Sequence, residues 1–104
     1  MIKVEISNKN DQIYKINMIG HANYDLYGKD IVCAGASTIV TTTVNAIEMF
    51  DKNYISYESK KDNFEIVINT HNEIVDNLIT NMINMLQELE NDYPKNIKLR
   101  KENL

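Results

Sequence analysis

Two side chains in this sequence are able to do nucleophilic chemistry together. The only cysteine, Cys33, sits in Asp30-Ile31-Val32-Cys33-Ala34, and His21 lies upstream in Gly20-His21-Ala22. A thiol and an imidazole are the minimum set for thiolate catalysis. Cys33 also falls where a helix is predicted to begin. There the free backbone N–H groups and the positive dipole end favour the thiolate over the thiol. A plainer reading stands beside this one. A free cysteine is usually a small core residue, and a lone histidine at a strand end is usually a surface or hydrogen-bonded one.

The neighbours leave two readings each. Asp30 either caps the helix or orients the imidazole as the third member of a triad. Ser37, one helical turn beyond Cys33 on the same face, either bonds to a carbonyl one turn back or lines a site near the thiol. His71 is the other histidine, and its place in an apparent capping box gives it a local structural role. A zinc site needs three or four ligands, which one cysteine and two separated histidines do not supply. With no Gly-rich phosphate loop and no paired-cysteine motif, neither metal nor cofactor is expected.

The elements that must position these residues are legible in the hydrophobic pattern. Ile2, Val4 and Ile6 alternate with Lys3 and Glu5, which predicts a strand, and Ser7 to Asp11 reads as a turn. Ile13 to Ile19 reads as a second strand, with Tyr14, Ile16 and Met18 on one face and Ile13, Lys15 and Asn17 on the other. Gly20 to Lys29 follows as a loop holding Tyr24, Tyr27 and Gly28, and loops of that length often carry function.

From Ile31 to Phe50, apolar residues recur at Val32, Ala36, Ile39, Val40, Val44 and Ile47, the pattern of an amphipathic helix. Gly35 inside it costs about 1 kcal/mol against alanine, and is expected to admit a close neighbour. Tyr54 to Ser59 and Phe64 to Asn69 read as strands around a turn. Thr70-x-x-Glu73 then reads as a capping box opening a second helix, striped with Ile74, Val75, Leu78, Ile79, Met82, Ile83, Leu86 and Leu89. Pro94 stops it, and Ile97 and Leu99 mark a short last strand. The order predicts an α+β domain spanning 1–104: two layers, a mainly antiparallel sheet of about five strands, and both helices on one face.

A chain of 104 residues suits one domain, and dimerisation would add buried area and help build a cleft. The net charge of −4 argues against direct nucleic-acid binding and suits a basic peptide or protein partner. Lys98, Arg100 and Lys101 read as a solvated strand face. With no signal-peptide pattern and no long apolar run, the expectation is a soluble, cytoplasmic chain with no membrane partner.

The run Gly20-His21-Ala22, Gly28, then Asp30-Ile31-Val32-Cys33-Ala34 with Ser37 four residues past the cysteine resembles the signature of the ribosomal-processing cysteine protease family. The order of elements resembles the family over essentially the whole chain. The resemblance implies a small homodimeric cysteine protease of bacterial cytoplasm. It would remove a short N-terminal extension of large-subunit ribosomal protein twenty-seven, after an aromatic pair. It makes Cys33 the nucleophile and His21 its base, and maps a mobile loop that covers the site onto Gly20 to Lys29. Backbone N–H groups of Cys33 or Ala34 are candidates for stabilising the oxyanion, and Tyr24 and Tyr27 for receiving an aromatic side chain. Two other classes stay open: a non-catalytic ribosome-associated binding module with a merely buried Cys33, and a thiol-based hydrolase or transferase of small molecules.

Overall fold

Alternation through Ile2-Lys3-Val4-Glu5-Ile6 puts three β-branched side chains on one face, and in the computed structural model all three are buried. The structure describes residues 1–26 and 30–103, so Tyr27, Gly28 and Lys29 lie outside it. The strands are β1 (Ile2–Lys9), β2 (Gln12–Ile19), β3 (Ile55–Lys60), β4 (Asn63–Ile68) and β5 (Ile97–Asn103). Helix α1 (Ile31–Phe50) follows β2, and α2 (Glu73–Asp92) follows β4. The sheet order is β3-β4-β2-β1-β5. All neighbours are antiparallel except β1 and β5, which run parallel from Ile2↔Ile97 to Asn8↔Asn103. The architecture is the expected α+β one.

Both helices lie on the same face of the sheet. α1 contributes Val32, Ala36, Val40, Val44 and Ile47 to the core, and α2 contributes Val75, Ile79, Met82, Ile83 and Leu86. They meet Ile6, Ile16, Ile66 and Ile97 from the strands in one apolar cluster. Thr43 is the buried member of the Thr41–Thr43 run, and its hydroxyl donates to the Ile39 carbonyl at 2.9 Å, so the helix keeps its polar group satisfied. By length and composition alone, α1 is apolar enough to cross a membrane, contrary to the expectation of no such run, although its inner stripe packs on the sheet.

Local details depart from the sequence reading for identifiable reasons. Ser7 to Lys9 continue β1, and the turn is only Asn10-Asp11, both at positive φ (53° and 61°), which Asn and Asp accept readily in tight hairpins. Pairing slips between Ser7↔Lys15 and Asn8↔Ile13, leaving an extra residue in β2. That bulge reverses the alternation, so Ile13 rather than Tyr14 packs against the core. Helix α2 is capped by Asn72, whose side chain accepts from Val75 N at 2.9 Å, not by Thr70. The Thr70 N–H instead donates to the Tyr54 carbonyl. His71 contacts Asp76 at 3.2 Å within the first turn of α2, a local role. Gly35 has no backbone pressed against it: a Cβ there would meet only Leu89 methyls, at 3.7 and 3.8 Å.

Candidate active site

The site is built where β2 hands the chain to α1. Gly20 ends the strand at φ +91°, and a Cβ there would lie 2.7 Å from the Met1 carbonyl oxygen, so a residue without a side chain is required. The next residues are held by three segments. The Gly20 N–H donates to the Asp62 carbonyl at 2.9 Å, and the Ala22 carbonyl accepts from Asn96 Nδ2 at 3.0 Å. The buried Ala22 also aims its N–H at Cys33 Sγ, 3.2 Å away.

Asp30 caps α1. One carboxylate oxygen accepts from Val32 N and Cys33 N, both at 3.0 Å. The other accepts from Tyr24 N at 3.0 Å and Asp25 N at 3.4 Å. Burial opposes its charge, but the four N–H donors, Cys33 foremost, outweigh it and hold the carboxyl below the ordinary aspartate range. The same side chain thus starts the helix and ties the preceding loop to it. The imidazole of His21 has a different partner: Nε2 meets Asp62 Oδ1 in the turn between β3 and β4. Of the two readings of Asp30, its contacts support the cap.

Cys33 and His21 line one cleft of about 730 Å³ between the first half of α1 and the β3–β4 hairpin. Ser37, one turn beyond Cys33, and Gly20 line it as well. Met18, Val40 and Phe64 give it an apolar wall, with Tyr57 stacked on Phe64 at 5.9 Å between centroids. Tyr24 is engaged elsewhere, edge-on to Tyr93 at 5.3 Å. The N–H groups of Cys33 and Ala34, the expected oxyanion donors, are already spent on the Asp30 side chain and carbonyl, because a capped helix satisfies its own first turn. Among the described residues, no three His, Cys, Asp or Glu side chains gather as metal ligands would.

Asp62, Phe64 and Asn96 escaped the sequence reading. Each is remote in sequence from the Gly-His-Ala and Cys segments, and no local pattern marks it. The only signal was for Asp62, an acidic residue at a predicted turn, where solvation is the ordinary explanation.

A half-buried free thiol at a helix start shares this cleft with an imidazole on a two-layer α+β scaffold, the minimum set for thiolate chemistry. The family model described as cysteine protease Prp matches residues 1–98, and the chain belongs to that family. It is 36% identical over 103 residues to the ribosomal processing cysteine protease Prp of Staphylococcus aureus, covering 95% of this chain and 97% of the relative. The Bacillus subtilis relative of the same name is 30% identical over 111 residues, covering 95% and 96%. A solved S. aureus Prp structure, in complex with a covalently linked product peptide, superposes with a TM-score of 0.90 at 33% identity, covering 98% of this chain and all of that one.

Proposed function

We propose that this cysteine protease removes the N-terminal extension of large-subunit ribosomal protein twenty-seven, cutting after an aromatic pair with Cys33 as nucleophile and His21 as its base. Residues 1–104 act as one cytoplasmic domain without a cofactor. The observation that carries the reading is the shared cleft: the Cys33 thiol and the His21 imidazole line one cavity whose apolar wall suits an aromatic side chain.

The imidazole takes the Cys33 proton, and the thiolate attacks the scissile carbonyl carbon. The tetrahedral intermediate collapses as the imidazolium returns the proton to the departing amine, leaving a thioester on Cys33. Water, deprotonated by the same ring, then attacks the thioester, releasing the carboxylate and restoring the thiol. The Ala22 N–H steadies the sulfur anion before attack and after release. Met18, Val40 and Phe64 receive the aromatic residue. The enzyme's net charge of −4 suits a basic substrate segment.

A second copy completes the working unit. α1 carries no charged side chain from Ile31 to Ile47, yet Ile31 is exposed on it, as is Met49 beyond (87%). Light scattering is expected to give the dimer mass at micromolar concentration.

Incubation with a peptide spanning the predicted junction tests the chemistry. Wild type yields two fragments and a thioester adduct by mass spectrometry, whereas Cys33→Ala and His21→Ala yield neither. Replacing the aromatic pair in the peptide by alanines abolishes cleavage. Full activity in Cys33→Ala refutes the mechanism, and cleavage indifferent to the aromatic pair refutes the specificity.

A further inference from the structure

We infer that Asp62 is the positioning residue for His21, holding Nε2 so that Nδ1 serves the thiol. The inference rests on the reading of Cys33 and His21 as the reacting pair. Two contacts join the β3–β4 turn to the histidine segment: Asp62 Oδ1 to His21 Nε2, and the Asp62 carbonyl to the Gly20 N–H at 2.9 Å. Asp62 itself sits at φ +62°, a conformation that Asp, Asn and Gly adopt with little strain. The backbone of the tightest part of the hairpin therefore places a carboxylate beside the ring.

The consequence is chemical. A neutral imidazole has one N–H and one bare nitrogen, and a carboxylate on Nε2 requires the hydrogen there. Nδ1 is then free to take the Cys33 proton and later to deliver it to the leaving amine, while Asp62 keeps its charge throughout and faces the imidazolium that forms between those steps. The other charged groups lining the cleft are engaged elsewhere. Both Asp30 oxygens accept backbone N–H groups, Asp25 accepts from Leu26 N, and Lys60 pairs with Glu58.

Two substitutions separate positioning from turn formation. Asn and Gly both fit the left-handed conformation, so a purely structural role leaves either variant as active as wild type. The positioning role gives a graded loss. Asp62→Gly removes the acceptor and lowers kcat by about 10- to 100-fold with KM within about twofold, the pair's exposure to solvent keeping the effect below that of a buried triad. Asp62→Asn keeps an acceptor oxygen and loses less. A kcat for Asp62→Gly within about twofold of wild type overturns the inference. A second measurement needs no variant: nitrogen-15 NMR of the His21 ring in the wild-type protein is expected to show the Nε2–H tautomer, and the Nδ1–H tautomer overturns the assignment. If Cys33→Ala and His21→Ala are inactive while Asp62→Gly is unaffected, only this inference fails. If they stay active, the thiol–imidazole reading fails with it.

Discussion

Replacing Asp30 separates two jobs that one carboxylate performs. Its first oxygen caps α1 through Val32 N and Cys33 N, and its second ties down Tyr24 N and Asp25 N. Loss of an Asp cap costs about 1–2 kcal/mol. The loop tether adds no more than about 1 kcal/mol, because Tyr24 and Asp25 are exposed and their N–H groups can turn to water. Asp30→Ala is therefore expected to lose roughly 2 kcal/mol, a fall in Tm of roughly 10 °C for a chain of this size. Asp30→Asn behaves differently. Its carbonyl oxygen caps as well as aspartate does, but its amide nitrogen offers no acceptor to Tyr24 N. Its Tm should stay within about 4 °C of wild type, while kcat/KM falls about tenfold as the segment between His21 and Cys33 loosens. Thermal melts followed by circular dichroism, alongside peptide cleavage, read both quantities. An Asp30→Asn protein that melts as low as Asp30→Ala, or an Asp30→Ala protein as stable as wild type, refutes the division.

Because the folded-state Asp30 carboxyl is held below its unfolded value of about 3.9, its contribution is complete above roughly pH 5 and disappears as pH falls through 4 toward the depressed folded value. Urea midpoints between pH 5.5 and 3 should fall less steeply for Asp30→Asn than for wild type, and parallel curves count against the argument. Gly35→Ala should stabilise by up to about 1 kcal/mol, because its methyl meets Leu89 at ordinary contact distance, and a lower urea midpoint contradicts this. Gly20→Ala should cost about 1–3 kcal/mol, since the added carbon falls 2.7 Å from a main-chain oxygen at a φ that alanine resists, and an unchanged midpoint contradicts that.

Periodicity made the element order legible because it is a local signal: α1 starts at Ile31 and ends at Phe50, where the apolar spacing puts it. The cap at Asp30 was legible for the same reason. The bulge in β2 was not, since a slip between strands depends on the partner strand and leaves no mark in Ile13-Tyr14-Lys15 alone. The α2 cap shows two local motifs in competition, with Asn72 winning because Thr70 has its N–H drawn to Tyr54. In the site, Cys33 and His21 stood out by residue type. Asp62, which meets His21, and Asn96, which holds the Ala22 carbonyl, are ordinary surface types in the sequence, and only the meeting of the β3–β4 turn and the β5 approach with the Gly-His-Ala segment gives them a role.

The bond from Asn96 to Ala22 joins residues 74 positions apart, and the strand that follows Asn96 pairs with the very start of the chain. Contacts that distant form late, after the intervening loop has been closed. A variant truncated before Asn96 keeps the thiol and the imidazole but loses the amide that holds Ala22 between them. The geometry of the reacting pair thus depends on pairing at the far edge of the sheet and not on the local segment alone.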